Sequence, residues 1–176
     1  DRHERFRRIF KKSYIRMLTG TASSALDAVS HNLAQKISAQ DRNVVRQLKA
    51  DGYDMMVLSC GTADLSERVL KFAGLSGCFS RIEGNRFQFE EDRIVGMHLR
   101  LPNPEDKLAL IKKLNLSPDQ TIVVGDGYTD LPLLKWSSIP VVMDRTGRKK
   151  KEFASHNFCF ISSIAQIMNI INENVR

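Results

Sequence analysis

Short apolar segments alternate with amphipathic segments from Tyr53 to the end of the chain, and this alternation limits the fold more than any other feature. The segments with the pattern of buried strands are 54–58, 78–82, 121–124, 139–143 and 157–160. The segments with helical periodicity between and after them are 63–73, 105–114, 131–136, 148–155 and 164–174. This order predicts an α/β fold, a mostly parallel sheet with right-handed crossovers and helices on both faces.

Two regions depart from that alternation. Residues 86–90 and 94–100 alternate polar and apolar side chains around Glu91-Asp92-Arg93, which predicts a β-hairpin. Before Tyr53 the periodicity is helical, with an amphipathic basic helix that ends at Gly20 and further helices over 22–37 and 39–50.

Length and cysteine content narrow the class of protein. A chain of 176 residues is long enough to bury about 70% of its unfolded surface as one domain, without a disulfide or metal to hold it. It has no apolar run approaching the ~18 residues of a membrane span, and its basic N-terminal stretch lacks the apolar core of a signal peptide. Cys60, Cys78 and Cys159 are odd in number and lack metal-ligand spacing, which indicates reduced thiols in a cytoplasmic protein and argues against zinc.

The net charge of +7 is concentrated in two places. Residues 1–16 carry a net +5 and residues 145–151 another +5, so the rest of the chain is slightly acidic. Such patches can meet nucleic acid, an anionic membrane face or an anionic substrate, and they can equally be solvated surface. We favour solvated surface, because neither patch has the interleaved aromatic residues of a nucleic-acid module.

The stretch 121–134 joins a buried strand to a helix through a glycine-rich loop. Asp126 and Asp130 lie four residues apart in this loop, soon after the β-branched run that ends at Val124. Ligands of open α/β sheets bind beyond the carboxyl ends of the strands, so both carboxylates are candidates for holding a metal ion. In the alternative interpretation Asp126 is a turn residue, and Asp130 caps the helix that starts near Leu131.

Two further segments place polar groups at the same edge of the predicted sheet. The segment Ser59-Cys60-Gly61 follows an apolar strand, and its hydroxyl and backbone amides can bind an anionic oxygen. Lys107 lies in the first turn of a predicted helix, where a lysine opposes the helix dipole unless an anion is held there. The alternatives are that the serine caps a helix and that Lys107 is a solvated partner of Glu105 or Asp106.

In this order, a strand ending in serine, a helix-opening lysine and a Gly-Asp-Gly-x-x-Asp loop resemble the haloacid dehalogenase (HAD) superfamily, and within it the phosphoserine phosphatase-like branch. The three positions are filled by Ser59-Cys60-Gly61, Lys107 and Gly125–Asp130, and the resemblance covers about residues 40–176. It implies a three-layer α/β core over 41–176, with helices on both faces of a parallel sheet, and a small inserted helical cap over 1–40.

The family's Asp-x-Asp-x-Thr motif does not occur in this sequence. In the family this motif ends a central strand, between the strands that end here at Ser59 and Gly125, and it supplies the nucleophilic aspartate. The resemblance therefore implies two unpaired strand edges and an inactive chain, and we expect roughly 20–25 residues upstream of Asp1 to hold the strand. Exchange with a second copy would also complete the sheet, so the homo-oligomeric state stays open.

The activity implied by the resemblance is Mg²⁺-dependent hydrolysis of a small phosphorylated metabolite through an aspartyl-phosphate. Asp126 would ligate the metal, and Asp130 would hold the surroundings of the metal in place. Ser59-Cys60-Gly61 and Lys107 would bind the phosphoryl oxygens, with the serine and the lysine acting in catalysis. Two alternatives remain open: a HAD-fold binding or scaffold protein without catalysis, and a protein that contacts nucleic acid or an anionic membrane through its basic N-terminal helix.

Overall fold

The computed structural model describes residues 12–174 and shows an α/β protein in which strands and helices alternate as predicted. The α-helices are α1 (12–18), α2 (Ser23–Ala34), α3 (Ala39–Ala50), α4 (Ala63–Phe72), α5 (Pro104–Lys113), α6 (Leu131–Trp136), α7 (Arg148–Glu152) and α8 (Ile167–Asn174). The strands are β1 (Met56–Thr62), β2 (Arg81–Glu90), β3 (Arg93–His98), β4 (Ile122–Gly125), β5 (Ile139–Met143) and β6 (Cys159–Ile161). Short 3₁₀ turns lie at Ser76–Cys78, Pro118–Gln120, Tyr128–Asp130 and Ile164–Gln166.

The described strands form two three-stranded sheets, in the orders β1-β2-β3 and β4-β5-β6. β4, β5 and β6 are parallel, with Val124 of β4 opposite Val141 of β5. β1 is parallel to the first half of β2, and the second half of β2 runs antiparallel to β3 as the predicted hairpin. Glu91 and Asp92 have positive φ angles, which is the backbone conformation that the tightest hairpin turns require.

Helices cover both faces of the β4-β5-β6 sheet. Successive side chains of β5 point to opposite faces, so neighbouring residues of this strand pack against different helices. Val141 packs with Leu48 of α3 and with the isoleucines of α8 on one face. Val142 packs with Leu134 of α6 and with Phe153, which follows α7, on the other face. Both valines are fully buried, so two neighbouring residues of one strand join the three layers.

Helix α2 and the β2–β3 hairpin share a smaller core. Leu26 of α2 is buried there together with Phe87 and Ile94 of the hairpin. The guanidinium group of Arg68 on α4 also forms an ion pair with Asp27 of α2. Helix α2 is therefore held against both the hairpin and α4.

Three of the differences between the predicted and the observed boundaries change how an element is understood. The predicted strand at 78–82 and the first arm of the hairpin are parts of one strand, β2, which changes its partner from β1 to β3 along its length. β1 continues to Thr62 through an irregularity after Leu58, where a loop was predicted. The basic segment is helical only over Arg148–Glu152, because Phe153 turns into the core. The predicted helical residues before 12 lie outside the described part of the chain.

Asp41 links the first turn of α3 to the turn before α8. Its carboxylate is buried and accepts hydrogen bonds from the Ser163 hydroxyl and from the Ala165 N–H. Burial raises the pKa of Asp41, but these hydrogen bonds and the charge of Arg145 outweigh burial and hold the pKa below its usual value. The link keeps α3 beside α8 on one face of the sheet.

None of the helices within residues 12–174 has the length and apolar character that crossing a lipid bilayer requires.

β1 and β4 lie on the two sides of a cleft, and within residues 12–174 each is the end strand of its own sheet. The cleft has a volume of about 640 Å³ and is lined mainly by apolar side chains of these strands and the surrounding helices. Leu58 of β1 lines it, and so do Val124, near the carboxyl end of β4, and Asp130. Within residues 12–174, β1 and β4 therefore each have one edge that no other strand pairs with.

Candidate active site

Lys107 and Asp130 form an ion pair near the carboxyl end of the sheet. Lys107 Nζ lies 2.6 Å from Asp130 Oδ1, and only 4% and 14% of the two side chains is exposed. Pro104 begins α5, so Lys107 lies in its first turn, and α5 packs against α6 and the 3₁₀ turn that contains Asp130. The alternative of a solvated lysine paired with Glu105 or Asp106 is therefore wrong, because Lys107 is buried and its partner is Asp130.

The loop after β4 depends on a glycine at position 125. A Cβ on Gly125 would lie 2.9 Å from Asp130 Cγ, closer than side chains tolerate, so glycine allows the Asp130 side chain to lie against the backbone. Asp130 Oδ2 accepts a hydrogen bond from the Asp126 N–H at 2.9 Å. Asp130 stands at the N-cap position of α6, but among the described residues its carboxylate makes no capping bond there. The interpretation of Asp130 as only a helix cap is therefore wrong, since its carboxylate binds Lys107 and the Asp126 N–H.

Asp126 has an environment opposite to that of Asp130, although only four residues separate them. Asp126 follows β4 directly and is exposed, while its backbone N–H is held by Asp130. Asp130 is neutralised by Lys107, whereas the Asp126 carboxylate is open to a ligand from solvent. The structure thus brings Lys107, Asp126 and Asp130 together and gives the two carboxylates different roles.

Ser59 lies in the irregular part of β1, directly after Leu58, which lines the cleft. Its Oγ accepts a hydrogen bond from the Gly61 N–H at 3.0 Å, which folds the segment into a tight loop. Thr62 occupies the N-cap position of α4, but in the described structure its side chain makes no capping bond. Ser59 Oγ accepts from Gly61, which precedes α4, so the interpretation of the serine as a side-chain cap of that helix is wrong. Since Ser59 accepts through its oxygen, the hydroxyl keeps its proton for donation.

Asn85 is a buried polar residue that the sequence pattern did not single out. Its Nδ2 donates to the Cys60 carbonyl at 2.8 Å, and its Oδ1 accepts from the Arg100 and Leu101 N–H groups at 3.0 and 3.1 Å. Asn85 therefore joins the Ser59 loop to the segment that leads into α5. Asn85 lies between the predicted strands 78–82 and 86–90, where an asparagine is an ordinary turn residue, so the local sequence gave no signal of this role.

The carboxylates of the loop after β4 are suitable ligands for Mg²⁺. Mg²⁺ is usually bound by one or two carboxylates together with waters and substrate oxygens. Asp126 offers one exposed carboxylate, whereas the oxygens of Asp130 already accept from Lys107 and from the Asp126 N–H. Within residues 12–174 no three His, Cys, Asp or Glu side chains cluster as metal ligands.

The fold and the site together define an α/β protein with three polar features at the carboxyl ends of its strands. These are the Ser59 loop after the first part of β1, the buried Lys107 and the Asp126 loop after β4. A model of the haloacid dehalogenase-like hydrolases matches residues 7–137, which is most of the chain. The chain belongs to this hydrolase family, and the family resemblance inferred from the order of the motifs is confirmed.

Phosphoserine phosphatases are among the similar proteins. The phosphoserine phosphatase of Archaeoglobus fulgidus is 24% identical over 135 residues, which are 74% of this chain and 38% of that protein. A probable phosphoserine phosphatase from Vibrio cholerae is similar in structure, with a TM-score of 0.72 and 14% identity over 92% of this chain and 49% of that one. Cytosolic 5′-nucleotidase IIIB bound to cytidine gives a TM-score of 0.64 and 16% identity over 96% of this chain and 61% of that one.

At these identities the structural likenesses show the fold. The chain spans less than half the length of the archaeal and the Vibrio relatives that it matches.

Proposed function

We propose that the intact protein is a Mg²⁺-dependent phosphomonoesterase that hydrolyses a small phosphorylated metabolite. The observation that carries this proposal is the buried Lys107–Asp130 pair beside the exposed carboxylate of Asp126. Phosphoryl transfer needs a positive group for the phosphoryl oxygens and oxygen ligands for Mg²⁺, and this edge of the sheet contains both. The phosphatase and nucleotidase relatives support the same class of reaction.

Each part of the site has a separate role in this proposal. Lys107 uses one of its three N–H bonds for Asp130 and keeps the others for a phosphoryl oxygen. The Ser59-Cys60-Gly61 loop donates to the same group from the other side of the cleft. Asp126 holds Mg²⁺, which when bound offsets the negative charge that develops in transfer. Asp130 keeps Lys107 and the Asp126 loop in a constant arrangement.

The cleft between β1 and β4 is, in this proposal, occupied by a further strand of the core. Buried unpaired backbone groups are rare in native proteins, and the apolar lining of the cleft suits a strand covered on both faces. The end of a parallel strand there lies between Ser59 and Asp126, where a nucleophilic aspartate would reach the phosphorus. Residues 41–176 are then the core around that strand, and residues 1–40 are the cap over the site.

Hydrogen exchange tests the presence of this strand. We expect amides on the cleft-facing edges of β1 and β4 to exchange at least about a hundredfold more slowly in the intact protein than in residues 1–176 alone, because a paired amide must open first. Amides of β5, which is already paired on both sides, are the control and are expected to change little. Equal exchange of the β1 and β4 amides in the two proteins would contradict a strand in this cleft.

Metal removal tests the activity. With Mg²⁺ the intact protein is expected to hydrolyse p-nitrophenyl phosphate, and EDTA is expected to lower the rate at least about a hundredfold until Mg²⁺ is restored. The measurement is the initial rate of nitrophenol release at several Mg²⁺ concentrations. A rate that does not depend on EDTA would refute the metal, and no hydrolysis of any phosphomonoester would favour the non-catalytic scaffold protein.

A further inference from the structure

Helix α7 places a lysine beside the candidate metal loop. Of its four consecutive basic residues, Arg148–Lys151, Lys149 is half-buried and the others are exposed. Lys149 Nζ lies 3.9 Å from the point that a Cβ on Gly127 would occupy. Since Gly127 follows Asp126 directly, the ammonium group is at the rim of the site, next to the proposed metal ligand.

Asp144 holds α7 in that position. Its carboxylate is buried and accepts hydrogen bonds from the Thr146 N–H at 3.3 Å and from the Lys150 N–H at 3.0 Å. Gly147, with a φ angle of 74°, makes the turn into the helix between these two residues. The orientation of α7 relative to the end of β5 is therefore specified by a buried carboxylate.

Aromatic packing joins α7 to the metal loop itself. Phe153, directly after α7, is 1% exposed, and its ring lies 5.1 Å from the ring of Tyr128, two residues after Asp126. Lys149 also pairs with Glu152 Oε2 at 3.3 Å, but both side chains are partly exposed, and such pairs are weak. An ammonium group has three donors, so Lys149 keeps donors for a further anion at the rim.

We infer that Lys149 binds a second anionic group of the substrate, on the leaving-group side of the phosphoryl group. This inference rests on the proposed phosphatase function and names its substrate class, a phosphomonoester whose alcohol carries a carboxylate or a second phosphate. Lys107 is matched by Asp130 and is proposed to bind the phosphoryl group, whereas Lys149 lies beside Gly127 on a strongly basic helix, and its partner Glu152 is partly exposed.

Two esters of similar size test this role in the intact protein. Phosphoglycolate has a carboxylate on its leaving group, and ethyl phosphate does not. Lys149→Gln is expected to lower kcat/KM for phosphoglycolate about tenfold, mainly through KM, and to change that for ethyl phosphate less than about twofold. Lys151→Gln, an exposed change on the same helix, is the matched control and is expected to affect neither. Ethylene glycol bisphosphate carries a second phosphate where phosphoglycolate carries a carboxylate. The ester for which Lys149→Gln causes the larger loss of kcat/KM shows which of the two groups Lys149 binds.

Equal losses for the anionic and the neutral ester, or no loss for either anionic ester, would overturn the inference. Failure of the unmodified protein to hydrolyse any of the esters would instead overturn the proposed function. In that case the affinity for phosphoglycolate, measured by calorimetry, tests the role of Lys149. Binding weakened about tenfold by Lys149→Gln and not by Lys151→Gln supports the role, and binding that neither change weakens, or no binding, refutes it.

Discussion

Replacing Asp130 with Ala is expected to lower the free energy of unfolding by about 3–5 kcal/mol, because Lys107 would remain buried without a counter-charge. Removal of one partner of a buried pair leaves a charge that neither water nor another protein group neutralises. The replacement also removes the acceptor of the Asp126 N–H, so the loop after β4 loses an attachment. Equilibrium urea unfolding of the two proteins measures the loss.

A double-mutant cycle separates the ion pair from general packing. Lys107→Met removes the charge, and its cost is expected to be smaller, because Asp130 is more exposed than the lysine and keeps its hydrogen bond from Asp126. In Lys107→Met with Asp130→Ala no unpaired charge remains, so the losses are expected to fall short of additivity by about 1–3 kcal/mol. Glu152→Ala breaks the partly exposed pair with Lys149 and is the control, with an expected loss under about 1 kcal/mol. Additive losses in the cycle would contradict a coupled buried pair.

Asp126→Asn is expected to lower kcat/KM of the intact protein for a phosphomonoester at least about a hundredfold, because an amide replaces the carboxylate that we propose binds Mg²⁺. Stability is expected to stay within about 0.5 kcal/mol, since Asp126 is exposed and the bond to Asp130 comes from its backbone. Mg²⁺-dependent initial rates and urea unfolding of the same protein preparation measure the two effects.

The control for this change is Asp92→Asn, which alters the same functional group in the exposed turn of the hairpin. Asp92 has a φ angle of 63°, a conformation that asparagine adopts readily, so neither rate nor stability is expected to change. Undiminished activity of Asp126→Asn would refute the metal assignment. A loss of activity that came with a loss of stability would show that Asp126 supports the loop rather than the metal.

The two aspartates are thus expected to respond differently. Removal of Asp130 affects stability first and activity as a consequence, whereas removal of Asp126 affects activity alone. The difference follows from burial, since Asp130 is 14% exposed beside Lys107 and Asp126 faces solvent. Two carboxylates in one short motif therefore contribute to the site in different ways.

Local signals were sufficient for much of the fold. The predicted bounds of α3, α6 and β5 agree with the structure, because each segment has a clear hydrophobic period and a stop signal such as Asp51-Gly52. The bounds of β2 were wrong, because the strand continues where its partner changes from β1 to β3. Pairing of that kind depends on residues far away in the chain and leaves no local pattern.

The sequence by itself determined the order of strands and helices and the polar residues that follow the strands, because periodicity and glycine placement are properties of neighbouring residues. Only the tertiary structure decided that Lys107 pairs with Asp130, which is 23 residues away, and not with Glu105 or Asp106 beside it. Packing of α5 against α6 buries the lysine and brings the distant carboxylate within 2.6 Å of it. Attraction between charges is strong where water is excluded, and exclusion of water is a property of the assembled fold.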